Sequence, residues 1–288
     1  MSKLTKITAA LAMLISPIAH GQQFVDLADN TESIKSSDTP LGGPAPQLFV
    51  VATGSSTVTV VDPTTNRVTT RIPVGLAPVR LAMTPNGLKA YVSNHGDDTV
   101  SVINTLNRIV TATIQVGDGG AQELTVTPDG GRVFVVHQDS GDVAEIDTAT
   151  DTLIRFVTIG GTGAKDIVAT PDSRFVYVAN YTASMVNVIN TSTNKVSNIA
   201  TAAGPRRLAM TPGGDRVFAT DYLGNSVSVI DTFTQTLIQN IGVGGHPRGI
   251  TITPDGVQGA RRARRALGVE RQTDPIFLWR LNYVGFLQ

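Results

Sequence analysis

From Leu48 onward, short apolar runs alternate with polar turns, and one block shows the pattern of the rest. Val79-Arg80-Leu81-Ala82-Met83 has strand length, and Thr84-Pro85-Asn86-Gly87 then turns the chain, Pro presetting φ and Gly accepting positive φ. Ala90-Tyr91-Val92-Ser93-Asn94 follows and is closed by the polar His95-Gly96-Asp97-Asp98. Thr99-Val100-Ser101-Val102-Ile103 alternates, and Asn104-Thr105-Leu106-Asn107 offers an Asx-turn. A β-branched run from Ile109 to Val116 ends at Gly117. Val, Ile and Thr at this even spacing predict four strands per block, and nothing between them keeps a helical period.

The block recurs. Thr-Pro-x stands at Thr84-Pro85-Asn86, Thr127-Pro128-Asp129, Thr170-Pro171-Asp172, Thr211-Pro212-Gly213 and Thr253-Pro254-Asp255. An apolar pair ending in Asp or Asn stands at Asp62, Asn104, Asp147, Asn190 and Asp231. Both markers step by 41 to 43 residues. A four-stranded unit of that length is the blade of a β-propeller, and a twisted sheet with two apolar faces must stack on neighbours to bury them. The predicted fold is therefore all-β, a β-propeller of four-stranded blades.

The residues also carry a resemblance. Tyr91-Val92-Ser93-Asn94, Val176-Tyr177-Val178-Ala179-Asn180, the Val-x-Val-Ile-Asp/Asn-Thr segments and the Thr-Pro-Asp-Gly turns closely resemble YVTN-type propeller repeats over about Leu48 to Gly256. The resemblance implies the architecture and an exported or surface protein, and many members are seven-bladed. It does not imply one activity.

This chain holds fewer units. Leu48–Gly75 supplies the last three strands of a blade, four full repeats begin near Val79, Gln122, Lys165 and Arg206, and a lone first strand, Arg248–Thr253, comes last. About five blades are expected, the ring closed by pairing of 248–254 with the strands of 48–75, because unpaired apolar edges are a liability. An open five-blade arc is the alternative.

The flanks differ in composition. Lys3 and Lys6 precede an apolar run from Ile7 to Ile15, then Ser16-Pro17-Ile18-Ala19-His20-Gly21. Residues 1–21 read as a signal peptide cleaved before Gln22, since the run is too short to span a bilayer. The mature protein is expected to be extracytoplasmic (periplasmic, cell-surface or secreted), without a transmembrane segment. Residues 22–47, rich in Asp, Ser, Thr, Pro and Gly, read as a flexible linker ahead of the propeller at 48–256. Residues 257–288 break the repeat with Gly259-Ala260-Arg261-Arg262-Ala263-Arg264-Arg265 and hold the one Trp, Trp279. Such an atypical basic tail fits a coding-frame change or truncated blade, a short helix packed on the propeller, or a basic aromatic segment for nucleic acid or anionic lipid.

Charge refines this. The whole chain balances 23 basic against 23 acidic residues, but the tail has six Arg against Glu270 and Asp274, a net of +4, and Lys3 and Lys6 add +2. Residues 22–256 therefore carry −6, and no nucleic-acid partner is expected. The chain has no Cys, which excludes disulfides, thiolate metal sites and cysteine nucleophiles.

Candidate chemistry lies where first strands line a propeller channel. Four positions before each repeated Thr stand Arg80, Glu123, Asp166, Arg207 and Gly249, and one earlier Val79, Gln122, Lys165, Arg206 and Arg248. Arg80, Glu123, Lys165, Asp166, Arg206, Arg207 and Arg248 are the candidate ligand-binding residues of a polar channel mouth. The plainer alternative pairs Arg80 with Glu123 and Asp166 with Arg207 across neighbouring blades, each pair contributing about 0–1 kcal/mol. Adjacent Arg should lower the pKa of Glu123 and Asp166 and make them poor general acids.

At the end of each second strand stand Ala52, Asn94, His137, Asn180 and Asp221, where His137 is expected to cap a turn. His95, His137 and His246 are scattered, and Asp97-Asp98, Asp139 and Asp142 offer too few oxygens per loop for a dedicated Ca²⁺ site. No catalytic, metal or cofactor residue is assigned, and the Gly-rich runs at 160–163 and 242–245 read as turns between blades.

The expected function is a monomeric, non-catalytic binding or scaffold module that uses a propeller face for a protein or glycan partner. The competing readings are a propeller enzyme and a truncated derivative of a larger propeller. For the enzyme, lactonases, streptogramin lyases and the haem-binding domain of cytochrome-type nitrite reductases are similar in architecture.

Overall fold

The computed structural model describes residues 25–26, 33–36 and 46–253. The expected signal peptide, the cleavage site before Gln22 and the basic tail lie outside the described residues.

Five antiparallel sheets follow one another in chain order. Four are four-stranded meanders, each with an inner first strand: Pro78–Met83, Ala121–Val126, Ala164–Ala169 and Pro205–Met210. These inner strands pack side by side in sequence. The two recurring markers form the turns. Asp62, Asn104, Asp147, Asn190 and Asp231 each accept two backbone N–H groups two and three residues ahead through Oδ1, as an Asx-turn requires. Thr84, Thr127 and Thr170 each donate Oγ1–H to the carboxylate or amide oxygen two residues on, at 2.7, 2.6 and 2.6 Å.

Alternation within each strand sends one set of side chains to the preceding sheet and the other to the following one. Four apolar seams result. Phe49, Val51, Val58 and Val60 meet Leu81, Ala90 and Val92 between the first and second sheets. Tyr91, Val100 and Val102 meet Leu124, Val133 and Val135. Phe134, Val136 and Val143 meet Ile167, Val176 and Val178, and Tyr177, Ala179 and Val186 meet Leu208, Val217 and Ala219. Phe49, Tyr91, Phe134 and Tyr177 hold one repeat position and are all buried. Their counterpart Phe218 is half-buried, as are Val227, Ile241 and Val243 beside it, because no described sheet covers that side of the fifth sheet.

The ends depart from expectation. Residues 243–253 form no strand, and the pairing of 248–254 with 48–75 is not made by the described residues. Ser33–Ser36 pairs instead with Leu48–Ala52, in the register Ile34↔Val50, Lys35↔Phe49 and Ser36↔Leu48, and Val25–Asp26 pairs with Ser33–Ser36 in turn. The segment expected to be a flexible linker thus supplies two strands, and the first sheet has five. Loop entropy explains the preference. A return over some ten residues is easier to close than one over two hundred, by about 2–3 kcal/mol. Arg248 meanwhile follows the fifth sheet: its carbonyl accepts the Thr220 hydroxyl at 3.3 Å, as the Gln122 carbonyl accepts that of Ser93 at 2.6 Å.

Replacing Phe134 with Ala empties a buried seam and should cost about 3–5 kcal/mol. Phe218→Ala, on the uncovered side, should cost less than half as much. Urea unfolding of the two variants measures the difference, and equal losses would contradict the one-sided burial of the fifth sheet.

Candidate functional site at the channel mouth

Each inner strand enters its sheet through a register shift. It falls between Pro78 and Arg80, Ala121 and Leu124, Ala164 and Asp166, and Pro205 and Arg207. A bulge leaves a residue outside the ladder and re-aims its side chain. Val79, Gln122, Lys165 and Arg206 occupy these shifts, which is how the sequence brings polar side chains to one end of an otherwise apolar strand set.

The candidate residues separate into two groups. Arg80, Glu123 and Arg207 form a connected ion network. Glu123 Oε2 accepts Arg80 Nε at 2.7 Å and Arg207 Nη1 at 3.2 Å, so Arg207 reaches past the intervening sheet to a carboxylate two sheets away. Arg207 also donates to the Lys165 carbonyl at 3.0 Å. The expected Arg80–Glu123 pair is present, whereas the expected Asp166–Arg207 pair is not. Asp166 accepts backbone N–H groups instead, from Leu208 at 2.7 Å and Ile167 at 2.9 Å.

Asp166 also corrects the expected pKa direction. Burial first, and the neighbouring Glu123 charge second, push its carboxyl up to about 7, against the lowering effect of Arg207. A carboxyl titrating near neutrality often marks a catalytic site. Here both its oxygens are taken by backbone donors and the side chain is buried, so it meets no solvent-borne substrate.

The second group is open. Lys165 and Arg206 lie at the start of the inner strands of the fourth and fifth sheets, Arg248 lies just beyond the fifth sheet, and Lys165 Nζ donates to Gln138 Oε1 at 2.6 Å. Burial and then the Arg206 guanidinium hold the Lys165 ammonium below its ordinary pKa, while burial and then Arg248 lower that of Arg206. Among the described residues neither Arg206 nor Arg248 makes an ion pair. Both sit against one ring, with guanidinium carbons 5.4 and 5.7 Å from the Tyr222 centroid. Tyr181 and His246 flank Tyr222 at centroid distances of 6.3 and 4.7 Å.

His246 stands among the histidines named from the sequence, but Tyr181 and Tyr222 were not singled out there, although a signal for them exists. His95, Gln138, Tyr181 and Tyr222 each follow directly on a second strand, at the repeat spacing.

The remaining polar residues are structural. Asn94 Nδ2 donates to Thr99 and Ser101 hydroxyls at 2.9 and 3.0 Å, Asn180 Nδ2 to the Gly160 carbonyl at 2.7 Å, and Asp221 accepts Ser226 and Ser228 at 2.8 Å each. His137, whose pKa burial lowers, contacts the Asp142 carbonyl through Nδ1 at 3.3 Å, the turn-bracing place expected of it. Asp97 accepts Leu76 N–H, and Asp98 accepts those of Gly120 and Ala121, so both carboxylates fasten the loops between sheets. Among the described residues no group of three metal-ligating side chains converges. At the opposite end of the sheets, a cleft of about 280 Å³ lies beside the turn at Thr84–Leu88, and its Lys89 is taken up by Asp151 at 2.7 Å and the Thr148 carbonyl at 2.8 Å.

Comparison with known proteins agrees with the propeller fold. The family model described as YNCE-like beta-propeller matches residues 107–270. No curated protein matches the chain. Among solved structures, a functionally unknown protein from Desulfotomaculum acetoxidans is similar at 17% identity and a TM-score of 0.59, covering 81% of this chain and 89% of its own. A candidate 6-phosphogluconolactonase from Bacteroides uniformis is similar at 18% identity and a TM-score of 0.59, covering 81% and 75%. Hydrazine synthase of Kuenenia stuttgartiensis matches at 19% identity and a TM-score of 0.46, covering 77% and 90%.

The raised Asp166 pKa has a sign that can be checked. Between its ordinary value of 3.8 and about 7 the unfolded chain ionises Asp166 while the folded chain does not, so stability falls as pH rises across that window and levels above it. Asp166→Asn removes this dependence. Its urea midpoint should gain on that of the parent chain from pH 4 to pH 8, and parallel profiles would contradict the assignment.

Proposed function

Because the chain belongs to the YNCE-like β-propellers, with YVTN-type repeats, we propose that it is an exported, non-catalytic binding module that holds an anionic group of a protein or glycan partner at its channel mouth. The observation that carries this reading is the mouth itself: among the described residues Lys165, Arg206 and Arg248 converge with no carboxylate paired to Arg206 or Arg248, beside the Tyr222 ring on which both guanidinium groups pack. Mutual repulsion of that kind destabilises the empty site and is relieved when an anion enters. Arg80, Glu123, Asp166 and Arg207 belong to the support beneath it, which keeps the inner strands together.

Export rests on Lys3, Lys6 and the apolar run to Ile15. A secreted location places the mouth among surface polymers and proteins, many of them acidic. The enzymatic alternative draws its support from the shared architecture and from Asp166 and Asp221, whose carboxyls burial pushes up to about 7 and about 6, and both are enclosed.

Two measurements test the proposal. Fractionation of expressing cells should find the mature chain outside the cytoplasm and starting at Gln22. Immobilised acidic cell-surface polymers should retain it, and the Arg206→Ala/Arg248→Ala double variant, folded as judged by its melting curve, should bind about tenfold more weakly, about 1.4 kcal/mol. Equal retention of the variant, or turnover of a lactone panel by the parent chain, would contradict the reading.

A further inference from the structure

We infer that the mouth on the fourth and fifth sheets is shaped for an acidic oligosaccharide, a short chain of sugar rings bearing carboxylates. The inference rests on the reading of the mouth as an anion site and names its ligand class.

Three observations on one patch carry it. Arg206 and Arg248 both pack on Tyr222. Stacked guanidinium groups keep their N–H edges free, and that fork matches a carboxylate bidentately. Lys165 adds a compact charge one sheet away, oriented by Gln138.

The second observation is the row of Tyr181, Tyr222 and His246, with consecutive centroids 6.3 and 4.7 Å apart. Aromatic rings of this kind present an apolar face with a polar edge. Tyr222 carries the guanidinium groups, and a sugar ring is the complement of Tyr181 and His246 at the two ends of the row, offering C–H faces to the rings and hydroxyls to the tyrosine O–H and histidine nitrogens. An acidic peptide supplies the charge without the ring faces.

The third observation limits length. Among the described residues the open cations lie on the fourth and fifth sheets and just after the fifth, while the equivalent loops of the second and third sheets present Asp97, Asp98 and Asp139 at the same end. Residues 22–256 carry −6 in all. A long polyphosphate would run from cations into carboxylates, whereas a chain of a few rings stays on the basic side. Stacked bases on a short single strand are the nearest rival, since they too join rings to anions.

The test titrates the full chain by calorimetry with trigalacturonate, maltotriose, penta-glutamate and a short oligothymidylate. Trigalacturonate should bind at least about tenfold more tightly than each of the other three, and Arg206→Ala and Arg248→Ala should each weaken it about tenfold with the melting temperature unchanged. Tyr181→Ala should weaken trigalacturonate and leave penta-glutamate unaffected. Equal or tighter binding of penta-glutamate or oligothymidylate overturns the sugar class while the anion reading stands. Equal binding of neutral maltotriose overturns the role of the carboxylates. Binding of none of the anions overturns both.

Discussion

A four-stranded sheet with apolar side chains on both faces has no stable life alone, and this constraint shapes the whole molecule. The second, third and fourth sheets are each buried by the one before and the one after. Tyr91 of the second sheet lies in a seam with the third, and Phe134 of the third in a seam with the fourth. Stability in such an array is a sum over neighbouring interfaces. The fifth sheet shows the converse, since its Phe218, Val227 and Ile241 face no described neighbour and are correspondingly half-buried.

Stacking also dictates where polarity can go. The seams admit apolar residues, so charges gather at the inner strands and at the loop ends, and the bulges set their direction. At the centre, Glu123 serves Arg80 and Arg207 at once, joining three sheets through one carboxylate oxygen. A buried ion network of this sort specifies arrangement more than it adds stability, because desolvation offsets much of the attraction. One step outward the same geometry gathers Lys165, Arg206 and Arg248, and neither arginine makes an ion pair among the described residues. The contrast between guanidinium groups paired to Glu123 inside and guanidinium groups without an ion pair among the described residues at the rim is what separates support from recognition.

Much of this was legible in the sequence. The Thr-Pro turns, the Asx-turns and the four-strand period are local signals, and local hydrogen bonds such as Thr64 N–H to Asp62 Oδ1 enforce them. The candidate mouth residues were found because repeat spacing carries a position from sheet to sheet. What sequence could not supply were relations between repeats. Arg207 bypasses its neighbour Asp166 for Glu123 because that carboxylate comes within reach of two guanidinium groups, while Asp166 meets the Leu208 N–H. Burial, invisible in a list of charges, reverses the expected pKa of Asp166. The partner of Leu48–Ala52 was misplaced because pattern alone does not rank a near strand, Ser33–Ser36, against a distant one.

Hydrogen exchange, resolved by residue in the native full chain, tests most directly how this stack of sheets ends. Slow exchange within Ser33–Ser36 and Leu48–Ala52, with rapid exchange over 248–253, is the result that the arrangement predicts. Protection of 248–253 together with free exchange of Ser33–Ser36 would contradict it, because the chain's two ends would then share a sheet.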